Sequence, residues 1–324
     1  MTQILKNRDA LLALVVAGLI GAAALAYPGF AAPGNLAGVL DDTAILIILA
    51  LAQMLVILTR AVDLSVAANL ALTGMLVAML NAAWPSGGVL PILVLSVAIG
   101  AALGAVNGLL VWRLGIPSIV VTLGTLSIYR GMIFVVSGGA WVNSHRMSPE
   151  FLDLIRGTFL GLTILSWFAV AAVVAAAVLL RFTVVGRNLF VAGGNPSAAA
   201  YIGVDAGRMQ FVAFVVSGAV AGLCGYFWVS RYAIAYVEVA LGFELQVIAA
   251  CVIGGVSIVG GTGTVVGVVL GALFLGIVKN ALPLVGISPF WQMAIAGAVI
   301  TAAVVLNAAQ VKAPSRRILK EAEA

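Results

Sequence analysis

The sequence predicts an all-α, polytopic membrane protein with about ten transmembrane helices and both termini in the cytoplasm. Three observations lead to this fold class. Hydrophobic residues make up 64% of the 324 residues, charged residues make up only 8%, and the mean hydropathy is +1.23. Soluble chains carry roughly 25% charged residues, so this composition requires lipid as the main solvent. The other two observations are a series of long apolar runs and an uneven distribution of the positive charges.

Clusters of Gly and Pro divide the apolar runs that are too long for a single crossing. These breaks are NAAWPSGGVLP, GGVSIVGGTG and PLVGISPF. The predicted spans cover residues 10–27, 43–59, 64–83, 90–112, 118–137, 161–181, 208–230, 243–258, 263–281 and 291–308. Residues 1–324 therefore form one transmembrane domain, with short cytoplasmic tails at 1–9 and 309–324 and a polar cytoplasmic segment at 182–207.

The positions of the Lys and Arg residues set the predicted orientation. With a cytoplasmic N-terminus, eleven of the 16 cations lie on the cytoplasmic side and five lie on the outer side. The positive-inside rule therefore favours a cytoplasmic N-terminus, a cytoplasmic C-terminus and an even number of spans. The net charge of +5 is explained by this topology, and no nucleic-acid partner is expected.

Glycine recurs at every fourth position in three of the predicted spans. The stripes are Gly100, Gly104 and Gly108, then Gly218 and Gly222, and finally Gly263, Gly267 and Gly271. Small residues at this spacing let two helix backbones approach closely in lipid. The stripes therefore predict a compact helix bundle, and they do not indicate a ligand site.

The residues needed for common enzymatic chemistry are missing. No lysine follows a glycine, so the chain has no phosphate-binding loop of the GxxxxGK[ST] type. His145 is the only histidine and lies in a predicted outer loop, which excludes a buried Ser-His-Asp triad. Cys224 and Cys251 lie inside apolar runs and form no metal set, so no metal or cofactor is expected. Transport, a pore or a scaffold remain as functions.

Polar and aromatic residues in or beside the spans are the candidates for a substrate pathway, because ionisable groups in a membrane are costly. Arg130 lies roughly 18 Å into its predicted helix at ~1.5 Å per residue. It either donates to substrate hydroxyls, or it reaches the outer interface or caps neighbouring carbonyl groups. For the aromatic candidates, the interfacial belt is the favoured alternative. The further candidates are Asn69, Trp141, Asn143, Glu244, Gln246 and Trp291.

Asp63 receives a structural interpretation. It directly precedes the third predicted span, where its carboxylate can accept a hydrogen bond from the amide of Ser65 or Val66. An acidic residue at this position also favours the positive end of the helix. We therefore predict that Asp63 is the N-cap of the third helix.

The polar segment GRNLFVAGGNPSAAAYIGV interrupts the apolar sequence between the sixth and seventh predicted spans. Asn195 is a good N-cap, and Pro196 is preferred at the first helical position. The residues SAAAYI extend the helix by one to two turns, and Gly203 can end it in a left-handed conformation. The sequence predicts a short cytoplasmic helix with an apolar face of small residues that docks onto a partner. The alternative is a helix that lies on the bilayer surface.

This segment also carries a resemblance to a known family. VGRNLFVAGGNPSAAAYIGV resembles the cytoplasmic coupling loop of permease subunits in ATP-binding-cassette importers for monosaccharides such as ribose, xylose, arabinose and galactose. The segments ILTRAVDLSVAANLALTGM, GIPSIVVTLGTLSIYRGMIFVVSGG and FELQVIAACVIGGVSIVGGTGTVVGVVLGALFLGIVKNAL resemble other parts of these permeases. The resemblance covers nearly the whole chain.

One departure bears on the sugar. Arg60 and Ala61 stand where ribose permeases usually carry Gly-Gly. Together with SGGAWVNSHRMSPEF and WVSRYAIAYVEVALGFEL, this departure makes the chain most similar to rhamnose permeases. Permeases of furanose quorum signals are near relatives, and another pentose or hexose is the alternative substrate.

The resemblance implies a permease subunit in the bacterial inner membrane. Its partners would be cytoplasmic ATPase subunits, a periplasmic sugar-binding protein and a second permease chain, identical or homologous. The absent phosphate-binding loop agrees with ATP hydrolysis on a separate subunit. The residues that the resemblance assigns to ATPase coupling are Gly186, Arg187, Gly193, Gly194, Asn195, Pro196, Ala199, Tyr201 and Gly203.

Two other functional classes are weighed against this one. A secondary transporter or passive channel would need no ATPase, but ion coupling normally requires buried carboxylates near the membrane midplane, and the sequence places none there clearly. No feature of the sequence favours a scaffold that transports nothing.

Overall fold

The computed structural model describes residues 8–286 and, beyond them, only residues 288, 291, 294, 297, 298 and 301. This part of the chain contains eight helices that are long and apolar enough to cross a membrane, which confirms the polytopic all-α class. They are α1 (Arg8–Ala26), α2 (Pro33–Leu58), α3 (Val66–Ala83), α4 (Val89–Leu114), α5 (Ser118–Ser137), α7 (Ile164–Phe182), α10 (Ala206–Tyr232) and α12 (Val265–Ala281).

Shorter elements connect these helices. The short α-helices are α6 (Pro149–Asp153), α8 (Val184–Gly194), α9 (Pro196–Tyr201) and α11 (Phe243–Ile253), and 3-10 turns occupy Pro28–Ala31, Pro85–Gly87, Ser144–Arg146 and Leu282–Val285. Two antiparallel ribbons complete the described part of the fold. They pair β1 (Val142–Asn143) with β4 (Ile234–Ala235), and β2 (Thr158–Phe159) with β3 (Leu162–Thr163).

Seven of the ten predicted spans agree with an observed helix to within three residues at each end. These are the first, the third to seventh and the ninth, which correspond to α1, α3, α4, α5, α7, α10 and α12. The predicted span at 291–308 lies outside the described residues apart from isolated positions. The total of ten spans and the cytoplasmic location of both termini remain predictions.

The second span begins ten residues too late in the prediction, which is nearly three helical turns, and in fact starts at Pro33. The predicted start at residue 43 lies directly after Asp41 and Asp42, and two adjacent carboxylates are unfavourable inside an apolar helix. The structure resolves this conflict with Arg231 at the end of α10, whose guanidinium forms ion pairs with both carboxylates. The charge balance therefore lets the helix continue through the two acidic residues.

The prediction that residues 243–258 form a complete transmembrane helix is wrong. The helix α11 contains 11 residues, which correspond to ~16 Å at ~1.5 Å per residue. The hydrocarbon core of a membrane is about 30 Å thick, so α11 covers only about half of it. The remaining chain on either side of α11 is irregular.

The centre of the bundle is α2, in which every residue from 43 to 58 is buried. The closest helix pair is α4 with α10, and the predicted glycine stripe explains it. A Cβ atom on Gly100 would lie 2.2 Å from the carbonyl oxygen of Gly218, and one on Gly104 would lie 2.2 Å from the carbonyl oxygen of Phe214. Only glycine permits backbones this close, so the predicted packing role of the stripe is confirmed.

The predicted contact of Asp63 is confirmed, although its position as N-cap is not. Its Oδ1 accepts hydrogen bonds from the amide and the hydroxyl of Ser65, at 2.8 and 2.7 Å. The helix α3 starts at Val66, so Ser65 occupies the cap position and Asp63 lies two residues earlier. Asn107 of α4 donates to the Ser65 hydroxyl at 2.8 Å, which joins the start of α3 to α4.

Candidate functional site

The helices α8 and α9 form a corner at one end of the bundle, which we call the α9 end. Asn195 lies between them, and its Oδ1 accepts a hydrogen bond from the amide of Ala198 at 3.1 Å. Pro196 is the first residue of α9. The predicted N-cap and the predicted first position of this short helix are therefore confirmed.

The other end of α9 also follows the prediction. Gly203 has a left-handed φ of 79°. Its amide bonds to the carbonyl of Ala200 at 3.1 Å, and the amide of Val204 bonds to the carbonyl of Ala199 at 2.9 Å. This pair of bonds is the Schellman arrangement that ends many helices. Both ends of α9 are thus fixed by side chains or conformations that the local sequence specifies.

The exposed side of α9 differs in part from the predicted face of small residues. Ala199 is fully buried against the rest of the chain, so it supports α9 from within. The exposed side carries two large side chains, Tyr201 at 93% exposure and Ile202 at 69% exposure. Ala198 and Ala200 are also exposed. The surface that α9 offers to a partner is therefore an aromatic and aliphatic pair beside small residues, which we call the α9 surface.

The α8 residues that the resemblance assigns to coupling have different surroundings. Gly186 is buried at the α7–α8 corner, where a Cβ atom would lie 2.1 Å from the carbonyl oxygen of Leu179. Arg187 is exposed. Gly193 is buried, whereas a Cβ atom on Gly194 would meet no atom within 4 Å. Two of these glycines are thus required for close packing, and Gly194 is not.

The end of α8 contacts the end of the central helix. A Cβ atom on Gly193 would lie 1.7 Å from the carbonyl oxygen of Leu58 and 2.8 Å from the amide nitrogen of Gly261. The Gly261 amide itself donates to the Leu58 carbonyl at 2.9 Å. Three segments therefore meet at one point: the end of α2, the end of α8 and the loop that precedes α12.

Gly193→Ala is expected to destabilise the protein by about 2 kcal/mol, because an added methyl group overlaps backbone atoms that can shift only partly. The measurement is the apparent melting temperature of the purified protein in detergent. Gly194→Ala is the matched control and is expected to leave the melting temperature unchanged, since its Cβ atom enters open space. Equal melting temperatures for the two variants would contradict the tight junction at Gly193.

Four of the seven candidate pathway residues lie around the chain between α10 and α11. Asn143 pairs with Ile234 in the β1–β4 ribbon, and the Trp141 ring lies 5.3 Å from the Tyr236 ring. Trp141 is 56% exposed. Glu244 is half-buried, and its Oε2 atom has no hydrogen-bond partner among the described residues. Arg130 is the fourth of these residues.

The guanidinium of Arg130 binds the irregular chain that enters the bundle before α11. Its Nη1 donates to the carbonyls of Val239 at 2.6 Å and Val237 at 3.4 Å, and its Nη2 donates to the carbonyl of Ala240 at 3.0 Å. Of the alternatives for Arg130, the capping of neighbouring carbonyl groups is therefore confirmed. Its role as a donor to substrate stays a prediction.

Arg130 lies seven residues before the end of α5 at Ser137, which is ~10 Å along the helix axis. Two of the three residues whose carbonyl groups it binds, Val239 and Ala240, are buried. Irregular backbone that is buried within the membrane is tolerated only where its polar groups are satisfied by protein or by a water-filled cavity. Arg130 supplies such hydrogen bonds to the segment that precedes α11.

The other three candidates lie elsewhere. Asn69 is buried between α3 and α4, where its amide donates to the carbonyl of Gly100 at 3.1 Å and its Oδ1 accepts from Thr73 at 3.2 Å. Gln246 is half-buried on α11. Trp291 is 61% exposed. Asn69 thus acts as a bond between helices in this structure, and a contact with substrate stays a prediction for all three.

Two charged groups at the ends of the bundle were not among the predicted site residues. Arg231 joins α10 to Asp41 and Asp42 of α2, and Arg60 binds the end of α8. The adjacent acidic residues in an apolar run were the signal for the first of these contacts. No local signal pointed to the partners of Arg60, because 133 residues separate it from Gly193.

The chain is similar in sequence to known transport proteins. The profile of the family described as "Branched-chain amino acid transport system / permease component" matches residues 35–304. The "Autoinducer 2 import system permease protein LsrC" of Enterobacter sp. (strain 638) is 36% identical over 308 residues, which cover 95% of this chain and 88% of the relative. The "L-arabinose ABC transporter permease protein AraH" of Azospirillum brasilense is 36% identical over 323 residues, which cover 98% and 91%. No solved structure shows a significant match.

Proposed function

The chain belongs to the family of branched-chain amino acid transport system permease components, and on this premise we propose that it is the membrane-spanning subunit of an ATP-driven importer for a sugar or a sugar-like signal. It is a permease component and not an enzyme, since ATP hydrolysis belongs to a separate subunit of such importers. The α9 end is the cytoplasmic end of the bundle, and the protein resides in the bacterial inner membrane.

The observation that carries this proposal is the α9 surface. A large aromatic side chain that is 93% exposed, next to an aliphatic one that is 69% exposed, is unfavourable on a water-facing helix unless a partner covers it. The two defined ends of α9 hold this pair in a fixed position. The partner proposed here is an ATPase subunit, with a binding protein and a second permease chain at other surfaces.

The substrate proposed is a small polyhydroxylated molecule. Rhamnose is the substrate suggested by the resemblance of the outer segments. The names of two relatives point to autoinducer 2 and L-arabinose instead, so a furanose signal and a pentose are the alternatives. The choice is tested by ATP-dependent uptake of labelled rhamnose into proteoliposomes, with unlabelled arabinose, ribose and a furanose signal as competitors. The absence of ATP-dependent uptake of labelled rhamnose, in proteoliposomes that import labelled arabinose, would reject the rhamnose assignment.

Substitution of Tyr201 and Ile202 by alanine is expected to reduce binding of the ATPase subunit. A tyrosine at the centre of an interface often contributes about 2 kcal/mol, so the loss of Tyr201 alone should lower the affinity by ~30-fold. The measurement is co-purification of the ATPase subunit with the permease, together with ATP-dependent uptake. The double variant should still insert into the membrane, because neither side chain is buried.

The matched control is the pair Phe159→Ala and Leu160→Ala. These residues form another adjacent aromatic and aliphatic pair, exposed by 61% and 77%. They lie in the β2–β3 ribbon at the opposite end of α7.

Uptake that needs no ATPase subunit would favour a secondary transporter or a channel. Unchanged ATPase binding in the Tyr201 and Ile202 variant would reject the docking role of the α9 surface.

A further inference from the structure

We propose that Arg60 is a positioning residue that ties the α8–α9 corner to the central helix α2, so that displacement of α9 moves the centre of the permease. The inference rests on the proposed function, since it assumes that α9 receives the force from an ATPase subunit. Arg60 is then the residue that transmits a movement of α9 to α2.

The Arg60 side chain binds the end of α8. Its Nε donates to the carbonyl of Gly193 at 2.5 Å, and its Nη2 donates to the carbonyl of Gly194 at 2.9 Å. These are the last two carbonyl groups of α8, and they have no partner within that helix. A guanidinium presents two parallel donors, and a cation is favoured at the negative end of a helix. Arg60 therefore caps α8 at the point where the chain turns into α9.

The backbone of Arg60 has an unfavourable conformation. Its φ of 65° lies in the left-handed region, which costs energy for any residue with a Cβ atom and little for glycine. Arg60 lies two residues after the end of α2, and its amide bonds to the carbonyl of Ile57 at 3.0 Å. For backbone stability alone, glycine would be the better residue at this position. The two hydrogen bonds of the Arg60 side chain to the end of α8 offset this cost.

Several segments contact the end of α2 beside Arg60. The Leu58 carbonyl accepts from Gly261 at 2.9 Å, and the Thr59 carbonyl accepts from Gln210 of α10 at 3.0 Å. A Cβ atom on Gly260 would lie 2.5 Å from the Cγ atom of Arg60. The end of α2 is thus tied to α8, to α10 and to the loop before α12. Because α2 is buried from residue 43 to residue 58, it cannot shift without moving its neighbours.

Arg60 is itself exposed, so its removal opens no cavity. The junction at Gly193 and Leu58 keeps the elements in contact without it. The two hydrogen bonds of Arg60 instead fix the angle of the α8–α9 corner relative to α2. The expected consequence of losing them is an assembled importer in which ATP hydrolysis no longer drives transport efficiently.

The test uses the permease together with its ATPase subunits and binding protein in proteoliposomes, and it compares Arg60→Gly and Arg60→Lys with the unaltered protein. Arg60→Gly should assemble and hydrolyse ATP, but the number of substrate molecules imported per ATP should fall by about fivefold or more, in the range typical of coupling between sites. Arg60→Lys keeps one donor and the charge, and it should retain an intermediate ratio. The melting temperature of Arg60→Gly should change little, since relief of the left-handed backbone offsets the loss of the two hydrogen bonds at this exposed position.

The control is Arg113→Ala, which removes another exposed arginine at the same end of the bundle, one that lies over the Trp112 ring. It should leave the transport ratio unchanged. An unchanged ratio in both Arg60 variants would overturn the inference. If Arg60→Gly does not assemble, the ratio measured for Arg60→Lys decides between the outcomes. If the unaltered complex shows no ATP-dependent uptake, the proposed function fails, and the two failures are thereby distinguished.

Discussion

Replacement of Gly218 by alanine is expected to destabilise the protein by about 3 kcal/mol, because it overpacks the tight contact between α4 and α10. The new Cβ atom would lie 2.4 Å from the carbonyl oxygen of Gly100 and 2.7 Å from the Cα atom of Gly104. Both are backbone atoms of α4, so no side chain can rotate away, and the helices must separate. The measurement is the apparent melting temperature in detergent, together with the yield of monodisperse protein.

Gly124→Ala in α5 is the matched control. A Cβ atom at this position meets no atom within 4 Å. Alanine is favoured over glycine in a helix interior by roughly 0.5–1 kcal/mol, so this variant should be as stable as the unaltered protein or more stable. The two identical substitutions are therefore expected to change the melting temperature in opposite directions. A similar loss of stability in both would contradict the prediction, because it would show that the loss at Gly218 does not come from the contact with α4.

Arg130→Met is expected to destabilise the protein by about 3–5 kcal/mol. It leaves the carbonyls of Val237, Val239 and Ala240 without their donor, and hydrogen bonds to charged groups contribute roughly 1.5–3 kcal/mol each. Methionine has a similar length and no donor, so packing is largely kept while the hydrogen bonds are lost. The measurement is thermal unfolding, combined with the rate of proteolysis of the chain between α10 and α11.

Two further variants sharpen this prediction. Arg130→Lys restores one charge and a single point of contact, so it should recover part of the stability but not the bond geometry. Arg146→Met removes an exposed arginine from the 3-10 turn Ser144–Arg146, which follows α5, and it should change the melting temperature little. If Arg130→Met unfolded at the temperature of the unaltered protein, the carbonyl contacts would not be what holds the irregular chain in place.

Local sequence was sufficient to predict the elements whose stability is local. The caps of α9 are an example, because Asn195, Pro196 and Gly203 act within four residues of their own positions. Most helices were predicted to within three residues, since an apolar run bounded by Gly, Pro or charges specifies its own hydrogen bonds. The glycine stripes also predicted close packing, although not which helices meet.

The errors in the prediction have a common cause. The length of α11 and the start of α2 both depend on charged side chains whose partners lie far away in sequence. Arg130 binds carbonyls that are 107 to 110 residues away, and Arg231 pairs with Asp41 at a separation of 190 residues. A helix that crosses the membrane completely and a helix that enters only half of it both require an apolar sequence, because the membrane interior disfavours charge. The apolar run alone therefore does not distinguish the two.

The sequence by itself determined the class of protein, the approximate positions of most spans and the capped helix α9, because composition, periodicity and caps act over a few residues. Only the tertiary structure decided that the predicted span at 243–258 contains just an 11-residue helix, that Asn69 joins two helices and that Ala199 faces inward while Tyr201 faces outward. It also decided the partners of Arg60. The physical reason is that a buried polar group must find a donor or acceptor somewhere in the fold, and the chain can supply it from any distance in sequence.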